Sequence, residues 1–226
     1  GNVTVERYIN VGSGGSYHVA SWQFVATPTQ GQTVYQSWME NGSTASTGYG
    51  TQVTSPGGAG FDAVSSGPSL KSYVYSTDSW LGIPNTAIPV YNPEGYMLFV
   101  RGDRSVVYPN VGNTTLRTSG TLFTASPSNL PPVTTVHAGY YASIGNPYAS
   151  AVYMSKISAA SSYVSDFFYV WDPTLSGSYG VGGYRTLSDS LGIYVPTPPG
   201  GDYASGTSTI ESGQAFFMHS SESIGG

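Results

Sequence analysis

The side chains able to do chemistry in this sequence are twelve carboxylates, three histidines and nineteen tyrosines, and there is no cysteine. Two carboxylates facing each other across a cleft would make a glycosidase. Glu94 and Glu211 are the pair to weigh, because each lies just ahead of a glycine that opens an apolar run. Their more ordinary use is a turn bond or an ion pair at a strand start. His18, His137 and His219 are far apart and carry no acid-rich ligand spacing, so no zinc site is expected. Loops bearing aspartate leave calcium as the one metal option, and no other cofactor is expected. Serine occurs in no Gly-x-Ser-x-Gly elbow, so a hydrolase nucleophile has no support. No catalytic residue is assigned, and the chain is read as non-enzymatic.

The stronger functional signal is aromatic. An exposed planar ring can stack on the apolar face of a sugar or on a neighbouring subunit, at low entropic cost. Trp38, Trp80, Tyr49, Tyr148 and Tyr184 are the candidate ligand-binding side chains on this ground. Most other rings, Trp22, Phe24, Phe99, Trp171 and Phe216 first among them, are expected to fill cores. Arg101-Gly102-Asp103 is the triplet that animal integrins bind. Its expected role here is a tight turn in which Arg101 and Asp103 pair and tie down a strand end.

Those residues need a scaffold, and its pattern is short strands. Gly95-Tyr96-Met97-Leu98-Phe99-Val100-Arg101 and Gly213-Gln214-Ala215-Phe216-Phe217-Met218-His219 are near-continuous apolar runs bounded by turn residues, the mark of strands buried on both faces. Asn2–Ile9 alternates like a half-buried strand. Strands are also expected within 17–27, 50–53, 70–75 and 80–83, with one helical turn over Val34–Met39. No long amphipathic helix is evident. Thirty glycines and fifteen prolines punctuate the chain at intervals that suit antiparallel sandwiches or jelly rolls. Prolines 127, 131, 132, 196, 198 and 199 are placed to guard sheet edges. Landmarks recur: Pro28 and Pro147, Tyr35 and Tyr153, and Gly95 and Gly213 lie 118 or 119 residues apart. Equal spacing of matched landmarks is what duplication produces. The expectation is an all-β protein with two similar lobes, 1–112 and 113–226, standing as separate units or packed as a single domain.

Composition narrows the function classes. Of the 226 residues only 8% are charged, the net charge is −5 and no basic cluster exists. Nucleic-acid binding needs a basic footprint and is excluded. No apolar run is long enough to span a membrane. So neutral a surface suits an extracellular setting. The start at Gly1, without Met or signal peptide, points to a processed chain or an excised segment.

Several phrases carry a resemblance when taken in order. They are Thr4-Val5-Glu6-Arg7-Tyr8, Gly48-Tyr49-Gly50-Thr51-Gln52-Val53, Gly60-Phe61-Asp62-Ala63, Gly95 to Arg104, Gly145-Asn146-Pro147-Tyr148-Ala149-Ser150, Phe168-Tyr169-Val170-Trp171-Asp172-Pro173 and Ser212 to Phe217. The chain resembles, over nearly its whole length, a β-rich module of large secreted and surface proteins of Bacteroidetes, which often carry a sorting domain for type IX secretion. The resemblance implies an extracellular or cell-surface location and a structural or adhesive role, with the chain itself or other surface proteins as partners. The alternative is a carbohydrate-binding module that holds glycans on exposed Trp or Tyr.

Overall fold

The computed structural model describes residues 1–10, 20–42, 49–91, 93–107, 109–124, 134–175, 182–190, 193–200, 203 and 205–222. The fold is an antiparallel all-β sandwich, built as stacked layers. Strands β1 (Asn2–Ile9), β7 (Thr114–Leu122) and β3 (Thr29–Gln30) form an outer sheet in the order β1-β7-β3. Below it lies a four-stranded sheet of β2 (Ser21–Val25), β6 (Tyr96–Val100), β4 (Leu70–Val74) and β5 (Ser79–Gly82), in the order β2-β6-β4-β5. Next is a five-stranded sheet of β12 (Ile193–Thr197), β11 (Gly183–Ser190), β10 (Phe167–Asp172), β14 (Ala215–His219) and β8 (Tyr141–Gly145). The last layer is a short helix α1 (Met154–Ala160) with the pair β9 (Val152–Tyr153) and β13 (Thr209–Ile210).

The period of two explains the stacking. Successive side chains of a strand point to opposite faces, so a strand between two layers is apolar throughout. Tyr96, Leu98 and Val100 of β6 enter one core with Ile9, Leu116, Val34 and Trp38, whereas Met97 enters another with Phe24. Likewise Phe216 and Met218 of β14 join Phe168, Val170 and Leu187 above α1, while Ala215 and Phe217 turn the other way, to Phe24 and Met97. The two central sheets therefore meet face to face, and each central strand is buried on both sides.

Two sheet edges are covered from the opposite half. Val25 on the edge strand β2 bridges Gln214, and the Ala26 N–H donates to the Gly213 carbonyl at 2.9 Å. Ile144 on the edge strand β8 bridges Glu94, and the Gly145 N–H donates to the Pro93 carbonyl. On β12, Tyr194 exchanges two backbone bonds with Thr207, and Pro196 has no N–H to offer a stray strand. The expected guards Pro127, Pro131 and Pro132 lie outside the described residues.

Strand β7 follows the 112/113 boundary in sequence, pairs with β1 from Asn2↔Thr121 to Ile9↔Thr114 and places Leu116 in the first core. The segment 50–53 is no strand. Its backbone bonds go instead to Thr115 and Trp38 and to the Asp62 carboxylate, which accepts from the Val53 N–H at 3.0 Å. Helix α1 was not expected, since seven residues give too few turns for a helical period to show. The four-strand orders do correspond: taken in chain order, both central sheets run first-fourth-second-third, with β12 added at the margin of the second.

Candidate functional site

The functional candidate is the aromatic seam between the two central sheets, with its exposed rim. Glycines allow the sheets to close on each other. A Cβ on Gly95 would lie 2.6 Å from Ala215 Cβ and 2.7 Å from the Phe24 ring edge. One on Gly145 would land against Ala26 and 2.6 Å from the Glu94 carbonyl oxygen. Backbones that close put large rings in contact. Phe217 packs at 5.1 Å on Phe24, 4.7 Å on Tyr73, 5.6 Å on Trp80 and 5.6 Å on Tyr184, centroid to centroid. Most of these are tilted or edge-on, the geometry the ring quadrupole favours.

The sequence-derived ligand residues fall in different places. Trp38 is only 1% exposed and packs edge-on against Tyr96 in the first core, so it presents no face to a ligand. Trp80 and Tyr184 come from opposite halves and bond to each other, with the indole N–H donating to the Tyr184 hydroxyl at 3.1 Å. They close the rim of the seam, and Tyr184 also packs edge-on against Trp171 at 4.9 Å. Tyr49 is half-exposed, but the Arg117 guanidinium lies 4.1 Å over its ring. Tyr148 packs on Phe123 at 5.3 Å. Apart from Trp80 and Tyr184, these five form no common surface.

The expected Arg101–Asp103 pair does not form. Asp103 accepts from the Ser105 N–H at 2.8 Å and from its hydroxyl, and Arg101 extends over Phe99. The turn is tied down by the next residue instead. Arg104 makes a two-pronged contact with Asp62, at 3.0 and 2.8 Å, and both side chains are buried. The second half holds a counterpart at the end of its own core. Arg185 Nε donates to Asp172, whose other oxygen accepts from Thr174, and Arg185 Nη1 donates to the Pro198 carbonyl. Neither pair was foreseen. The available signal was a lone arginine amid the alternating run Tyr184-Arg185-Thr186-Leu187, an ion too costly to bury without a partner.

Acid–base chemistry finds little to work with among the described residues. Glu94 accepts from the Tyr96 hydroxyl at 2.9 Å, and Glu211 from Thr209 at 2.9 Å. A cavity of about 10 Å³ lies beside Arg7, Thr118, Trp38 and Gly213, enough for one water and far too small for a sugar. His137 stacks on Tyr75 and His219 leans on Tyr141, while His18 lies outside the described residues. Among the described residues no three potential ligand side chains gather round a metal position, and no helix is long and apolar enough to cross a membrane.

Burial raises the Glu94 carboxyl above its ordinary value of 4.5, only partly offset by the bond from Tyr96. Glu40 shifts the same way, burial again leading. An acid whose folded value is raised favours the fold while protonated and loses that contribution as pH climbs through the folded value. Glu94→Gln keeps an acceptor for Tyr96 and removes the charge. It is therefore expected to raise the melting temperature at pH 7, with the gain vanishing below the ordinary value of 4.5. Thermal melts from pH 4 to 8 test this, and a gain that persists at pH 4 would refute the burial account.

Comparison of the chain with protein-family models, with curated proteins and with solved structures finds no match. The class defined by fold and site is an all-β module with two face-to-face central sheets joined by an aromatic seam.

Proposed function

We propose that the chain is a non-catalytic structural module of a secreted or cell-surface protein, a stiff spacer or adhesive unit that works alongside copies of itself or other surface proteins. The observation that carries this is the seam. Strand caps cross it in both directions, and rings from both halves interlock within it. Such a joint resists bending, since parting the halves would expose Phe24, Met97, Ala215 and Phe217 to water together. The matching strand orders and reciprocal caps also support descent of the two halves from one duplicated unit.

Single-molecule pulling on a tandem array is the direct test. The whole chain is expected to rupture in one event, and a low-force separation of the halves in two events would remove the spacer reading. A panel of polysaccharides incubated with the protein is expected to release no new reducing ends. Release would overturn the non-catalytic assignment.

A second reading, glycan binding, is favoured by one patch rather than by the seam. Trp22 and Phe99, both partly buried, lie side by side at 5.2 Å on the end of the four-stranded sheet.

A further inference from the structure

We propose that the partly exposed end of the four-stranded sheet binds an acidic polysaccharide, one bearing carboxylate or sulfate groups, over the Trp22–Phe99 ring pair and between Lys71 and Arg101. The inference rests on the glycan reading and is independent of the spacer role.

Four observations converge on this face. Trp22 and Phe99 are cross-strand partners on β2 and β6, pointing to the side that faces the seam. Among the described residues the seam cluster reaches Trp22 and does not include Phe99, and both rings keep part of their surface accessible. Lys71 Nζ lies 4.7 Å over the Trp22 ring, and the Arg101 guanidinium lies 4.8 Å over the Phe99 ring. The ion pairs of the described residues involve Arg104, Arg117 and Arg185, and Arg7 donates to the Ser212 carbonyl, so Lys71 and Arg101 are two cations on one sheet face with no ion-pair partner among the described residues; Asp78, at the far side of that face, accepts from the Tyr73 hydroxyl.

The fourth observation is a local reversal of charge. The chain carries twelve acids against seven basic residues, yet none of β2, β4, β5 and β6 contains an Asp or Glu. A four-stranded sheet free of acids in an acidic protein, with two cations on one face of it, offers an anion a favourable landing place. The rings then select the kind of anion. Pyranose C–H groups contact the ring surface that the two cations leave accessible, while the charged substituents reach the ammonium and guanidinium seated over the rings. A cation already seated over each ring is pre-positioned at low entropic cost.

Affinity electrophoresis of the whole chain in native gels tests this with polygalacturonate, dextran sulfate, neutral hydroxyethylcellulose and polyglutamate. Retardation is expected with polygalacturonate or dextran sulfate at low salt, weakening as salt rises. Lys71→Ala and Arg101→Ala are each expected to weaken it about tenfold, the usual worth of a hydrogen bond to a charged group. Trp22→Ala should weaken it as well, and Lys156→Ala on helix α1 should leave it unchanged. Melting curves confirm that each variant is folded. Equal retardation by hydroxyethylcellulose would overturn the acidic specificity while leaving glycan binding in place. Retardation by no polysaccharide would overturn both. Equal retardation by polyglutamate with no effect of Trp22→Ala would reduce the site to a charge patch and refute the sugar assignment. Full binding by the Lys71→Ala/Arg101→Ala double variant would show that the site lies elsewhere.

Discussion

Asp172→Ala is expected to destabilise the protein by about 3–5 kcal/mol, because removal of one member of a buried ion pair strands the other. Arg185 is fully buried, and its guanidinium bonds are to Asp172 and the Pro198 carbonyl. With the carboxylate gone, a desolvated cation remains at the end of the second core. The same substitution frees the backbone N–H of Thr174, which donates to the other Asp172 oxygen at 2.8 Å. The turn after β10 would loosen with it. The companion variant separates charge from shape. Replacing both residues together, Asp172→Leu with Arg185→Met, is expected to recover much of the loss, since apolar residues of similar volume carry no desolvation cost. Urea titrations of the two variants give the comparison directly. If the double variant is no more stable than Asp172→Ala, the buried-charge explanation is wrong and the turn bonds to Thr174 dominate. Asp62→Ala should behave alike in the first half, where Asp62 also accepts from the Val53 N–H.

Phe217→Ala carries the second large effect, again about 3–5 kcal/mol, the usual cost of emptying a ring-sized space in a packed interior. Phe217 is the hub of the seam, touching Phe24, Tyr73 and Trp80 from the first half and Tyr141 and Tyr184 from its own. Its loss also removes ring-pair geometry worth about 0.5–1.5 kcal/mol per contact beyond area burial. The consequence should reach past stability. The wild-type chain is expected to unfold in one calorimetric transition, whereas Phe217→Ala should broaden or split it as the halves lose their coupling. Phe216→Ala, one residue away but pointing into the core above α1, should cost a similar amount without splitting the transition. If both variants split the transition alike, the seam does not couple the halves.

Much of the scaffold was legible in the residues. Asn2–Ile9 matches β1 residue for residue, and Tyr96–Val100 matches β6. In β1 one face is exposed, so polar and apolar residues alternate. In β6 and β14 both faces are covered, so the alternation disappears and an apolar run remains. The candidate site was much less legible. In the sequence Trp38 reads as a ligand-binding ring and Trp22 as core filling, yet Trp38 is buried and Trp22 keeps part of its surface accessible at the end of a sheet. A short hydrophobic segment states that a side chain wants cover, and does not state whether cover arrives.

The sequence by itself determined the antiparallel class, the two central strands and the scarcity of charge, because these follow from side-chain period, turn residues and composition, all local properties. Tertiary structure alone decided that β7 belongs to the first core, that Arg185 meets Asp172 and Arg104 meets Asp62, and that Trp80 of one half bonds Tyr184 of the other. Each of these joins residues that are distant in sequence or on separate elements. The pattern of a strand tells which of its faces is buried, but the layer that buries it is selected by the packing of whole sheets.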